Sequence, residues 1–588
     1  IHIHAQRHRG GAMVLDALSL ERSILHHGAA EAWTPLFERL DANKPIVLGV
    51  FGASVAQNGG CLDQPYKRCI RYDGVHSTFV GWGEPPVRPL KGFAVRFLDY
   101  INASYPSSRH RINNSALDAT PAQNALPCLF SHMPTVLHVV ILDFGSMAFH
   151  LRLSAVEGAA RMLLSLRPRP LLIFLSFHEW CQRLKDRPRS LYEPGERLRG
   201  GFVYPDTPWA RAEAETKRVC ERYGQVCLSM HRALDPNMRA KLPGFALRDV
   251  VGDDCLHAAR GVHGIDYVTD VLVHAFDRAR SRYSRRSGGA SSAPPLTLLN
   301  TFQGSQALPP PLHPANAAIS KRPARCYGFV RAADYRIRQG QSSTYRALQP
   351  IQWSSAWCPL VGESPGVAAT RLPGQLASAG PDHAAEGHAV TAALGLSADS
   401  RLGCATAEPQ ASCPRSAFGR SERAAVKLRE FLRRPPRTWF WCYSSLALNP
   451  AQQKKSPGVL ALVPGATLGF TVDSRMASEA GREDAIANQS RLELRVRATI
   501  EHLVSYEGMG IVSVACVGGC SCDAHRIDAH RVDAHRNVSV FLQHAFDVRG
   551  GSSKCGVRMQ VLSETSSGGH KFKVRTVTLA LPENGAER

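Results

Sequence analysis

Long apolar runs are missing from this chain: no stretch reaches the ~18 uninterrupted apolar residues of a membrane-crossing helix, which predicts a protein with no transmembrane segment in the given sequence. Aromatic residues are few, at 7%, and do not alternate with basic ones. The formal charge of +22 comes from dispersed arginines, so it reads as a solvated basic surface and not as a nucleic-acid stripe. The opening Ile1-His-Ile-His-Ala-Gln-Arg7 has no apolar core of a signal peptide and no initiating methionine; the true amino terminus is expected upstream. Around Cys516-Val-Gly-Gly-Cys520-Ser-Cys522 there is no second C-x-x-C or H-x-H pair at a spacing that suits structural zinc, so no metal is expected. The 16 cysteines, including Cys61, Cys69 and Cys555, are instead predicted to pair as disulfides in an oxidising compartment. Sequons at Asn102, Asn113, Asn488 and Asn537 fit the same secreted or secretory-pathway location.

The chain has 588 residues, 44% of them hydrophobic, enough for two cores joined by linkers. Residues 1–41 form an amino-terminal lead-in, with Leu15, Leu18, Ile24, Trp33, Phe37 and Leu40 at near-helical spacing. Over 42–283 short apolar runs alternate with amphipathic segments: strands at 45–52, 110–116, 136–144, 170–177 and 225–230, and helices at 88–103, 154–166, 209–223 and 261–280. That rhythm predicts an α/β fold, a flavodoxin-like three-layer α/β/α domain around a parallel sheet, with its site beyond the carboxyl ends of the strands. Residues 284–436 are rich in Ser, Gly, Ala, Pro and Arg and read as a low-complexity, largely disordered linker or insertion. Residues 437–588 return to β-like alternation and predict an antiparallel β-sandwich. The repeat Asp523-Ala-His-Arg, Asp528-Ala-His-Arg, Asp533-Ala-His-Arg is read as an expanded surface loop, because a period of five does not bring its histidines to one side of a strand or helix.

Two short motifs carry the chemistry. Ser54 ends the first predicted strand, Pro45-Ile-Val-Leu-Gly-Val-Phe-Gly-Ala-Ser54, and Asp254-Cys-Leu-His257 places an acid one turn before a histidine. A serine hydroxyl needs an imidazole to take its proton and a third group to hold that imidazole, so these residues supply a nucleophile, a base and an orienting acid. Their order differs from that of the α/β-hydrolase elbow, whose serine follows several strands and whose acid and histidine lie well apart.

This order, with the elements between, resembles the SGNH or GDSL-like hydrolases, and within them a plant and algal branch with a carboxyl-terminal β-rich domain. The resemblance runs from about Ala42 to Tyr283: Lys91–Pro106 looks like the family's first helix, Arg111–Thr120 like its second strand with the block II turn, and Val136–Ala148 like the third strand and block III. In the carboxyl-terminal part, Ser505-Tyr-Glu-Gly-Met-Gly510, Cys516–Cys522 and Glu564–Val574 resemble the accompanying domain. The resemblance implies Ser54, Asp254 and His257 as catalytic residues, backbone N–H groups at Ser54 and Ser115 as oxyanion donors, no cofactor, and an acylated carbohydrate or lipid as substrate. Block III departs from the family: Met147 stands where an asparagine donates to the oxyanion, and a lost donor costs about 100- to 1,000-fold in turnover. Two readings follow, a secretory serine esterase, or a weakened hydrolase scaffold serving as a glycan- or protein-binding component. Asn113 and Asn114 are candidate substitutes for the lost donor, and His178 and Glu179 read as solvated loop residues.

Overall fold

The computed structural model describes residues 14–57, 61–64, 67–68, 71–72, 77–78, 92–117, 120–133, 136–180, 207–251, 256–259, 263–288, 307–317, 319, 324–328, 349–350, 356–357, 439–444, 455–475, 495–532 and 539–581. They fall into two compact units, the first holding the described residues up to 319 and the second those from 324 onward. In chain order the main elements of the first unit are α1 (Ala17–Ser23), β1 (Ile24–His27), α2 (Ala30–Asp41), β2 (Val47–Gly52), α3 (Ser54–Gln57), β3 (Cys61–Gln64), α4 (Phe93–Ser104), β4 (Arg111–Asn114), β5 (Val139–Asp143), α5 (Leu153–Leu164), β6 (Leu171–Ser176), α6 (Pro208–Tyr223), β7 (Val226–Ser229), α7 (Met230–Arg239), β8 (Ala258–Ala259) and α8 (Gly264–Gly288).

The sheet order is β1-β7-β6-β5-β2-β4. All neighbours run parallel except β1, which lies antiparallel on β7 at the edge. This is the flavodoxin-like three-layer α/β/α arrangement, and the strand residues show why it forms. Every residue of β5 is buried: Val139 and Ile141 enter a core with Phe37, Phe97, Val268 and Phe276, while Val140 and Leu142 enter another with Val156, Leu163 and Val219 on the opposite face. A strand apolar on both faces needs helices on both sides. Helix α6 has clear boundaries, with Thr207 accepting from the Ala210 N–H, Pro208 opening the helix, and Gly224 at φ +64° closing it. The lead-in read as helical contains β1 between its two helices; Ile24 pairs with Leu228 and His27 with Val226. Four residues of edge strand are set by a partner far away in sequence, not by local pattern.

Most of the 284–436 stretch lies outside the described residues, but 307–317 are held against α5 and α6. The buried Glu157 carboxylate accepts from Tyr223 Oη (2.6 Å), the Leu312 N–H (2.5 Å), the His313 N–H (2.9 Å) and Asn316 Nδ2 (2.8 Å). Arg161 donates to the carbonyls of Pro309 (2.7 Å) and Asn316 (3.1 Å). Composition reads such a segment as a linker; two charged side chains with no water to solvate them make it part of the domain.

The second unit is an antiparallel β-sandwich. One sheet contains Ala324–Gly328, Phe440–Ser444, Lys455–Ala461, Arg495–Val504, Val540–Arg549 and Phe572–Ala580, and the other orders Thr467–Val472, Cys555–Val561, Ile511–Gly518 and His525–Asp528. Thr467–Val472 alternates strictly between exposed and buried residues. Leu468, Phe470, Val557 and Met559 of one sheet share a core with Val496, Ile500, Phe546 and Val574 of the other. Disulfides join Cys516 to Cys522 and Cys520 to Cys555 here, and Cys220 to Cys227 in the first unit. The first copy of the five-residue repeat is not loop but the edge strand His525–Asp528, with Ile527 buried. The third copy lies outside the described residues.

Burial pushes Glu157 upward, but the hydrogen bonds from Tyr223, Asn316, Leu312 and His313 outweigh it and hold this carboxyl below its ordinary value. Its stabilisation is therefore present above the unfolded value near ~4.3 and is lost as pH falls through the lowered folded value. In Glu157→Gln the Leu312 and His313 amides should exchange with deuterium about 10-fold faster than in the wild type, the size expected for losing charged hydrogen bonds.

Candidate active site

The chain leaves the sheet at Gly52 and turns at once into α3, whose first residue is Ser54. Phe51, Ala53, Val55 and Ala56 are fully buried, and Ser54 alone among residues 51–56 keeps partial access to solvent. Since β4 pairs on one side of β2 and β5 on the other, the chain changes direction across the sheet here, at the switch point where such sheets bind ligands. The turn is anchored from several sides. Ala53 N–H donates to the Asp143 carbonyl (3.2 Å), Leu117 N–H to the Gly52 carbonyl (2.9 Å), and Asn114 Nδ2 to the Ala56 carbonyl (3.0 Å).

Gly52 and Asp143 are register partners at the ends of β2 and β5. A Cβ on residue 52 would stand 2.1 Å from the Asp143 carbonyl oxygen, so only glycine fits this approach. The Asp143 side chain is completely buried. It accepts from the Ser146 N–H (3.3 Å) and Ser146 Oγ (3.1 Å), and the Ala56 N–H of α3 also donates to it. Burial pushes Asp143 up to about 7; the Ser146 hydrogen bonds, the nearby charge of His257 and the Ala56 amide pull in the opposite direction. Nothing in the sequence reading marked this residue. Its one signal was an acid closing an otherwise apolar strand, Val139-Val-Ile-Leu-Asp143.

His257 is buried and immediately precedes β8. Ala258 pairs in parallel with Cys61 of β3, the segment that follows the Ser54 turn, and His257 lies within electrostatic reach of Asp143. Ser54, Asp143 and His257 therefore belong to one region of the fold. Asp254 lies outside the described residues.

The oxyanion expectation for Ser115 needs correcting. Its backbone N–H donates to the Val50 carbonyl at 2.9 Å, and its Oγ donates to Asn113 Oδ1 at 2.6 Å. An N–H engaged in the sheet ladder is not presented to a substrate. Asn114 is likewise committed, donating to Ala56 and accepting from the Ala116 N–H (3.1 Å). Met147 is half-buried in a turn where its own N–H donates to the Phe144 carbonyl (3.0 Å). Of the two residues read as solvated, Glu179 is buried and His178 is half-buried; the His178 ring packs edge-on against Trp180 and His231, and desolvation holds it well below its ordinary value, so it is neutral. The sulfurs of Cys516, Cys520 and Cys555 come within 4.8 Å of one another, but all three are consumed in disulfides and supply no thiolate to a metal. Among the described residues no helix is long and apolar enough to cross a membrane.

No family model matches the chain, and no curated protein matches it. Among solved structures it is similar to a two-domain esterase active on acetylated mannans, at 10% identity and TM-score 0.46 over 97% of this chain and 99% of that one. A catalytic mutant of Axe2, an acetylxylan esterase from Geobacillus stearothermophilus, is similar at 12% identity and TM-score 0.26, over 39% and 94% of the two chains. The CBM36-1 domain of a multidomain xylanase from the hindgut metagenome of Trinervitermes trinervoides is similar at 12% identity and TM-score 0.15, over 26% and 92%. At these identities nothing about the site passes from those proteins to this one.

Gly52→Ala should lower the thermal midpoint of the first unit by roughly 5–10 °C, because the added methyl forces β2 away from β5.

Proposed function

We propose that the protein is an SGNH-type serine esterase that hydrolyses an O-acyl ester of a glycan or lipid in the secretory pathway or outside the cell. The observation that carries the reading is the placement of a partly accessible Ser54 at the switch point of a parallel sheet, with His257 returned to the same region by the β3–β8 pairing. In the proposed reaction Ser54 Oγ attacks the acyl carbon while His257 takes its proton, and Asp254 holds the imidazole. The tetrahedral intermediate collapses as His257 returns the proton to the departing alcohol. Water, deprotonated by the same imidazole, then releases the acid and restores Ser54. The Ser54 backbone N–H is the remaining proposed oxyanion donor; no metal or organic cofactor takes part. The disulfides Cys220–Cys227, Cys516–Cys522 and Cys520–Cys555 support an oxidising location. Under this reading the hydrolase domain is 42–283 together with β1 of the 1–41 lead-in and the 307–317 stretch of the 284–436 segment, and the β-sandwich is 437–588 together with Ala324–Gly328.

A second reading, a hydrolase scaffold with little turnover that binds glycans or proteins, is favoured by one specific pair of observations. Met147, which the resemblance aligns with the oxyanion asparagine, has no side-chain donor, and the Ser115 N–H is bonded to Val50.

A fluorophosphonate probe separates the two. Labelling of the wild type that disappears in Ser54→Ala is expected of the esterase, and absence of wild-type labelling sinks it. Met147→Asn should raise turnover of an acetyl ester about 10-fold or more if the missing donor limits the rate. An active wild type that Met147→Asn leaves unchanged means another group fills that role.

A further inference from the structure

We infer that Asp143 is a positioning residue of this site: its buried carboxylate ties the Ser54 turn to the turn after β5 and supplies the negative field in which His257 works. The inference rests on the hydrolase reading and adds to it a residue outside the Ser54, His257 and Asp254 set.

The geometry sets the task. The Ala56 N–H comes from the turn that carries Ser54, and the Ser146 N–H and Oγ come from the turn that carries Met147. Both turns close on one carboxyl group, and Gly52 keeps the two backbones in contact beneath it. Three donors directed at one side chain call for an acceptor on both oxygens. An asparagine in the same place keeps one acceptor oxygen for the Ser146 N–H and can donate to the Ser146 hydroxyl, so what it removes is the negative charge. Burying a carboxylate is costly unless its surroundings repay it, so an acid used only as strand-end packing would be a poor solution.

His257, immediately before β8, lies within electrostatic reach of this group. Among the described residues it is the titratable group whose charge reaches Asp143; β2, α3 and the Ser146 turn add only backbone and hydroxyl dipoles. When His257 takes the Ser54 proton it becomes positively charged in a buried setting, and an anionic Asp143 lowers the energy of that imidazolium. The ionisation of Asp143 therefore enters the pH dependence of Ser54 reactivity. Because burial places that ionisation at about 7, the effect falls in the neutral range.

The test is the rate of fluorophosphonate labelling of Ser54 in the full chain between pH 5 and 9, for the wild type, Asp143→Asn and Ser146→Ala. Removing the carboxylate should slow labelling at pH 8 about 10-fold and shift the midpoint of the profile down by roughly half to one pH unit. Ser146→Ala keeps the charge but removes a hydrogen bond that favours it, so its midpoint should move up. A purely structural Asp143 would lower the rate in both variants without moving either midpoint, and that result overturns the inference. Should Asp143→Asn not fold, an unmoved midpoint in Ser146→Ala overturns it alone. A wild type with no Ser54-dependent labelling overturns the hydrolase reading and the inference together, whereas a labelled wild type with unmoved midpoints overturns the inference only.

Discussion

A carboxylate with no access to water must find its hydrogen bonds within the fold, and in the first unit that requirement converges on Asp143. Its main chain accepts from Ala53 and its side chain from Ser146 and Ala56. The ends of β2 and β5 cannot drift apart without stranding it. That constraint fixes the direction in which the chain leaves β2, and through it where Ser54 stands. The rest of the sheet extends outward from this pair: β4 beyond β2, and β6, β7 and β1 beyond β5.

Glu157 meets the same requirement by a different route. There the donors come from a separate piece of chain, and the carboxylate holds 307–317 against α5 and α6. In the sandwich an ion pair is handled similarly, with Arg575 donating through two nitrogens to Glu501 at 2.5 and 2.8 Å and its guanidinium 4.0 Å from the Phe541 ring centroid. In each case a buried charge chooses among arrangements that apolar packing alone leaves close in energy.

The parallel sheet was legible because β5 and β6 are continuous apolar runs flanked by amphipathic helices, a pattern that both covered faces impose on the sequence. The strand end that carries the chain into Ser54 was legible from its apolar run. The edge strand β1 was not, because Ile24-Leu-His-His27 acquires its structure from β7 and is marked locally only by Gly28 at φ +76°. The 307–317 segment was hidden by its prolines, which signal a linker unless Glu157 and Arg161 are known to face it. The bonding of the Ser115 N–H was invisible for another reason: ladder register decides which way a backbone donor points, and sequence does not. Asp143 was overlooked because a polar residue at a strand end ordinarily marks the exit to solvent, and here the exit is covered.

The two disulfides near residue 520 have a consequence for how this chain tolerates change. Cys520 lies inside the small ring closed by Cys516 and Cys522, and it is also bonded to Cys555 on the neighbouring strand. The pairing of Ile511–Gly518 with Cys555–Val561 is thereby locked against slippage. The five-residue repeat begins immediately after Cys522, and its later copies precede the strand that starts at Val540. The first copy is the edge strand His525–Asp528 and the second is tied to Ser505 through the Ala529 carbonyl and the Arg531 N–H, so loss of either copy would strip paired backbone from this edge of the sandwich.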